Sequence, residues 1–250
     1  MSTIIANEIA KMSHLRIGLV AGLYVLAVSG IASFQSFGSN ITEHLADPGG
    51  APWKILLSGM SLSLAIISPV LLAVMASRQV EIEHTGNGWL LSATTGVTPG
   101  RLCRAKFLVL GAITVTAITL QSLLVAGFGF LLGASSPFPT SHWLGYTAST
   151  MVVSLAVLAF QILLSAHVEN QLVALGVSLV GIFLAIFGVV LPTWAAHLTP
   201  WSYYAMTNPA DYVGTDLRYF ELPYPSIAAL AVMGTALFAF TTARFDTQEA

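Results

Sequence analysis

Charge is what this sequence has least of. Asp, Glu, Lys and Arg make up 8% of its 250 residues and hydrophobic residues 56%, whereas a soluble protein carries about 25% charged residues. A chain so composed cannot cover a globular surface with polar groups, and it reads as an integral membrane protein. Neither sign of charge is in excess: nine basic residues stand against eleven acidic ones. That balance is too even for a nucleic-acid partner or a polybasic membrane anchor. Cysteine is nearly absent, and Cys103 alone can neither close an internal disulfide nor build a cysteine metal cluster. No histidine pair has the spacing of a zinc helix, and no serine within a span is flanked by the glycines of a nucleophile elbow. None of Lys11, Lys54 and Lys106 follows a glycine, which excludes a phosphate-cradling P-loop.

What the sequence does have is length in its apolar runs. They fall at about 17–37, 53–77, 107–133, 143–166, 171–191 and 226–243, each near the ~20 residues that cross a bilayer as helix. These runs predict an all-α integral membrane fold of six transmembrane helices in a single domain over residues 1–250. A β-barrel is excluded because its strands alternate over short segments. Before the first run, Ile4, Ile5, Ile9 and Met12 fall near helical spacing and predict an amphipathic helix in the membrane interface, with no cleaved signal peptide. The short connection His167 to Asn170 predicts a tight hairpin of the fourth and fifth helices, and Pro69 predicts a kink or loose point in the second. Lys11, Arg16, Arg78, Arg101, Arg104, Lys106 and Arg244 lie on one side of this layout, against Lys54 and Arg218 on the other, so both termini are expected in the cytoplasm. Trp53, Trp143, Trp194 and Trp201 fall at the opposite side, as an interfacial belt would.

Two connections are long enough to carry function. The stretch Arg78 to Lys106 holds four basic residues with Glu81 and Glu83, a breaker cluster at Thr85-Gly86-Asn87-Gly88, an apolar knot at Trp89, Leu90 and Leu91, and a turn at Thr98-Pro99-Gly100. It predicts a short helix between two turns, an apolar knob ringed by charge that suits a groove on a cytoplasmic partner; a purely topological role for the charges, with Trp89 as an interfacial anchor, competes with it. The stretch Pro192 to Pro225 contains five of the seven tyrosines and five of the eleven prolines. It is expected on or in the outer leaflet, as a gate or cargo exit involving Trp201, Tyr203 and Tyr204, or as a cap that seals the bundle. Inside the spans, Gln121 and Gln161 are the main polar residues, suited to hydrogen bonds between helices or to cargo contact. No charge lies deep in a span, which argues against proton-coupled transport. Gly18 with Gly22 and Gly129 with Gly133 fit close helix packing.

Taken together, the six spans, the N-terminal amphipathic segment and the order Glu81 or Glu83, Asn87, Trp89-Leu90-Leu91, Pro99, Arg101 and Lys106 resemble the permease subunits of ABC type-two exporters. The small size and the loose Glu, Leu, Pro-x-Arg, Lys pattern look most like the permeases of lantibiotic immunity and related peptide or drug efflux. This resemblance implies that Arg78 to Lys106 is a coupling helix region seated on an ATPase subunit, with Glu81, Glu83, Asn87, Trp89, Leu90, Pro99, Arg101 and Lys106 as its coupling residues. It further implies a second permease, identical or not, a setting in membrane lipid in the cell membrane, and outward movement of an amphipathic peptide, antibiotic or lipid-like substrate. ATP and Mg would be held by the partner, this chain binding no cofactor and being no enzyme.

Two other readings remain beside it. Asn208-Pro209-Ala210 is the tripeptide of aquaporin-like channels, but that family needs two, the loop after the second span offers only Asn87-Gly88, and Asp211 stands near where an arginine would exclude cations. A six-helix channel or facilitator without an ATPase is therefore the second reading, and an intramembrane enzyme the third. Glu81, Glu83 and His84 read either as a metal set or as a solvated charged turn at the membrane face, and neither catalytic residue nor metal ligand is assigned.

Overall fold

A helix longer than a bilayer is thick must project from it, and two helices here do. In the computed structural model, which describes residues 2–248, α3 runs Ala51–Thr85 and α5 runs Pro99–Leu131, 35 and 33 residues. At 1.5 Å per residue each is roughly 50 Å long, against a hydrocarbon core of about 30 Å. The surplus is the charged stretch itself. Arg78 to Thr85 continues α3 and Pro99 to Lys106 opens α5, so the expected long loop shrinks to residues 86–98 around a short helix, α4 (Gly88–Thr94). Hydropathy ends at the first charge, but Arg, Glu, Gln and Lys are good helix formers and the helix continues through them.

Among the described residues, six helices are long and apolar enough to cross a membrane: α2 (Ile17–Gly38), α3, α5, α6 (Thr140–His167), α7 (Gln171–Phe187, extended by a 3-10 turn to Val190) and α10 (Tyr224–Gln248). The chain is a multi-pass membrane protein. Ahead of them α1 (Ser2–His14) is joined to α2 through Arg16, whose φ of 53° sets the turn between the two axes. Of its expected apolar face, Met12 is buried and Ile9 is exposed, because the buried side is centred on Glu8. The helix α3 is the central post. It packs against α2, α6 and α7, while α10 lies against α5 and α6.

One expectation about helices needs correction. The connection between α6 and α7 is as short as predicted, with the Asn170 side chain accepting from Leu172 N–H at 2.9 Å, yet α7 leaves α6 and packs chiefly on α3. A short link fixes where two helices meet and leaves their crossing free. Pro69 neither ends nor interrupts α3, and it is buried in the core of the bundle; in a membrane helix, neighbouring helices hold the segment around a proline.

The interior is stitched by single hydrogen bonds between helices: Tyr24 Oη with Ser68 Oγ and Ser122 Oγ with Thr147 Oγ1, both at 2.8 Å. At the end away from α1, Trp53 and Trp143 meet edge to face at 6.0 Å, with Phe130 and Phe138 around them. The Trp53 indole donates to Ser136 O at 3.0 Å and that of Trp143 to Ser122 Oγ at 2.9 Å. Gly129 makes this packing possible, since a Cβ there would come within 2.5 Å of the Trp53 ring. The other glycines of the expected packing pairs do not act this way. Gly18 and Gly22 face open space along a groove between α2 and α5, and Gly133 turns the chain after α5 at φ 87°. Gln121 and Gln161 are fully buried, but neither amide makes a hydrogen bond among the described residues, so the expected interhelical bonds are not formed. Gln121 stands beside the Tyr24 hydroxyl and short of bonding geometry.

Between α7 and α10 lie two short helices, α8 (Thr193–Ala196) and α9 (Ser202–Met206), and an antiparallel hairpin of β1 (Ala210–Val213) and β2 (Asp216–Tyr219), in which Ala210 pairs with Tyr219 and Val213 with Asp216. Gly214, at φ 65°, makes the turn. These strands are an addition to the all-helical expectation. Asn208-Pro209-Ala210 leads into β1 and opens no re-entrant helix, which removes the channel tripeptide's structural context.

Candidate functional site

Some charged residues of the basic end gather between helices instead of spreading over its surface. On α1, Glu8 and Lys11 are one turn apart, and Lys11 Nζ donates to Glu8 Oε1 at 2.9 Å. Glu8 shares its helix face with Met12, so the face that packs inward carries a carboxylate with it. That carboxylate meets Lys106 from α5, whose Nζ donates to Glu8 Oε2 at 2.7 Å, to Glu83 Oε1 at 2.7 Å and to the Gln79 carbonyl at 2.8 Å. Lys11 Nζ also reaches Glu83 Oε1, at 2.6 Å, and Gln79 Nε2 donates to Glu8 Oε2 at 2.8 Å. Two carboxylates and two ammonium groups thus form a neutral quartet joining α1, α3 and α5. Lys106, Glu8 and Gln79 are 0% exposed and Glu83 is 1% exposed.

Burial alone would push the Glu8 carboxyl up, but the Lys106 ammonium and the bonds from Lys106, Lys11 and Gln79 outweigh it and hold its pKa below the ordinary value. Burial likewise opposes the charge on Lys11, and its bonds to Glu83 and Glu8 outweigh that, so its pKa is raised. Both groups are held ionised. An enclosed charge that keeps its partners is tolerated, and one that loses a partner is strongly destabilising.

This arrangement redistributes the residues expected to dock a partner. Glu83 and Lys106 point into the bundle. Glu81 accepts from the Gln171 amide at the start of α7. His84 meets the Ser165 carbonyl of α6 at 2.9 Å, and the half-buried Trp89 packs edge to face on His84 at 5.7 Å. Because Glu81, Glu83 and His84 diverge to three partners, they do not form a metal set. Asn87, at φ 49°, turns the chain into α4, and Pro99 opens α5. What stays outside is Asn87, Leu90, 66% exposed, Leu91, 62% exposed, and the Arg101 side chain. A cleft of about 500 Å³ separates α4 from α1, walled by Ile4, Asn7, Lys11, Leu91, Ser92 and Thr95. The expected short helix between two turns is present, with fewer exposed side chains than the eight expected coupling residues.

Glu8, Lys11 and Gln79 were not among the expected site residues. A signal for the first two existed: a carboxylate between Ile5 and Met12 on one helical face implies that the face meets a cation. Nothing in the linear sequence pairs residue 8 with residue 106.

At the opposite end, Trp201, Tyr203 and Tyr204 are 5%, 3% and 2% exposed. Their rings turn into the bundle and away from the outer leaflet where they were expected. Tyr204 Oη shares a hydrogen bond with Ser154 Oγ at 2.8 Å, Trp201 meets Phe160 edge to face and covers Gly181, and Tyr203 lies edge-on to His197. Tyr204 also lines a cavity of about 570 Å³ with Gln35, Ser58, Ser61, Asp211 and Glu221. Its size lies within the range of ligand pockets.

Among known families, the sequence model described as ABC-2 family transporter protein matches residues 4–185, more than two thirds of the chain. The match contains the quartet and α4 and ends within α7. No curated protein matches the chain.

Proposed function

This chain belongs to the ABC-2 transporter family, and from that premise we propose that it is the permease subunit of an ATP-driven exporter that moves an amphipathic peptide, antibiotic or lipid-like substrate outward. Membership implies an ABC ATPase partner and a transport role in a membrane. On our reading the partner is a separate subunit that carries ATP and Mg, a second permease completes the transporter, and efflux of the lantibiotic-immunity kind is its physiological setting. Both termini and α4 then face the cytoplasm, by the seven-to-two distribution of basic residues.

The observation that carries this reading is α4. It is a seven-residue helix held off the bundle by two helices that overrun the bilayer, and it presents Leu90 and Leu91 to water. Exposed leucines beside a cleft are what a protein partner's groove covers. Cargo would reach the cavity that Tyr204 lines, with Trp201, Tyr203 and Tyr204 as the outer gate. The test is co-purification from native membranes with the neighbouring ATPase. Leu90→Asp with Leu91→Asp should abolish ATPase association while the permease still inserts and folds. Undiminished association of that variant, or purification of the wild type without any ATPase, would overturn the proposal.

A further inference from the structure

Gly88 is the first residue of α4, and it stands directly against Glu83. A methyl group built on it would overlap the Glu83 carboxylate and come within 2.9 Å of Glu83 Cα. Because the second contact is to helix backbone, no rotamer change relieves it and α4 would have to move. The opposite oxygen of the same carboxylate, Oε1, holds Lys11 of α1 and Lys106 of α5. One carboxylate therefore abuts α4 on one side and, through two ammonium groups, grips two further helices on the other. The far end of the loop is held separately, by α10: a Cβ on Gly100 would overlap the Thr242 carbonyl, and Arg104 Nη2 donates to Asp246 at 2.6 Å.

Resting on the reading that α4 docks the ATPase, we propose that Glu83 and Gly88 are positioning residues: the buried quartet sets the place of α4, and movement imposed on α4 reaches α1, α3 and α5 together through the Glu83 carboxylate. The quartet suits this task because it is neutral and three of its four charged groups, Glu8, Glu83 and Lys106, are buried, so those groups move as a unit or separate at high cost. Omission of a side chain at position 88 brings α4 into contact with that unit. A larger residue would force α4 away from Glu83 and break the connection.

The experiment uses the permease with its ATPase in lipid vesicles, and reads transport per ATP hydrolysed, the melting temperature, and the distance between spin labels at Ala6 on α1 and Thr94 on α4. Gly88→Ala should lower transport per ATP by about tenfold, within the range of ordinary coupling energies, with little change in melting temperature. Gly18→Ala, at a site with open space around it, serves as control. Lys106→Met should lower both quantities. Adding Glu83→Gln rebalances the charge, and should restore the melting temperature while transport per ATP stays low and the label distance stops responding to ATP. If transport per ATP instead follows melting temperature through the whole series, or Gly88→Ala behaves as the control does, the quartet is structural only and the proposal falls. A wild-type complex without ATP-driven transport would fail the exporter reading itself, and this inference with it.

Discussion

Lys106 concentrates the physical question at the scale of one residue, because it is a fully buried ammonium with three oxygen partners. Replacing it with Met leaves Glu8 and Glu83 sharing Lys11 alone, and should cost about 3–5 kcal/mol, as breaking other buried ion pairs does. Thermal unfolding of the purified protein in detergent measures this. The sign of the pH dependence follows from the two groups outside the spans. The pKa of Glu8 is lowered in the folded chain from an ordinary 4.5, so its contribution is present above that value and is lost as acid titrates it. That of Lys11 is raised from 10.5, so its contribution is complete below 10.5 and is lost as alkali titrates it. The stability advantage of wild type over Glu8→Gln should therefore be level near neutrality and disappear well below pH 4.5. An advantage that grows in acid would contradict the assignment. Glycines offer a second comparison at this scale. Gly129→Ala drives a methyl into the Trp53 ring and should destabilise by about 1–3 kcal/mol, whereas Gly18→Ala should be neutral or gain up to about 1 kcal/mol of helix propensity.

Among the elements, the six long helices could be located from hydropathy because each needs only its own residues to reveal it. Their ends were less legible. The charges from Arg78 to Thr85 and from Pro99 to Lys106 looked like loop, since a hydropathy window cannot distinguish a solvated charge from one enclosed by a neighbouring helix. The hairpin was hidden for a different reason: tyrosines in Pro192 to Pro225 suggested a membrane surface, whereas Tyr212 and Tyr219 are strand residues flanking a Gly214-Thr215 turn. The burial of α9 yields a prediction of its own. Trp201→Ala removes a ring packed on Phe160 and Gly181 and should destabilise by about 3–5 kcal/mol. Tyr204→Phe loses only the bond to Ser154, about 1 kcal/mol. On the gate reading, Tyr204→Phe should alter transport more than this small loss explains; if transport per folded molecule is unchanged, α9 is a cap.

The whole molecule is unevenly covered. In their most apolar windows α3 is 67% buried, but α7 and α10 only 28% and 17%, so these two present broad apolar faces to lipid or to a second permease. The arrangement predicts which loops meet each aqueous phase. Cysteines placed at Gly96 and Asn170 should resist an impermeant thiol reagent in intact cells, and one at Asp216 should react; labelling at Gly96 without permeabilisation would invert the topology. The site was less legible than the fold because it is made by distance: residues 8, 83 and 106 belong to three helices and carry no shared local pattern.

That same distance gives the quartet a history during synthesis. Glu8, Lys11 and Glu83 all emerge before Pro99, so a chain interrupted at that point holds two carboxylates and one ammonium around a site meant for four charges. Only when α5 arrives does Lys106 restore neutrality. An unfinished chain thus differs from a finished one by a single uncompensated charge at a helix junction. In pulse-chase labelling, a fragment ending at Val97 should be degraded faster than the same fragment bearing Glu83→Gln, although the two differ by one carboxylate.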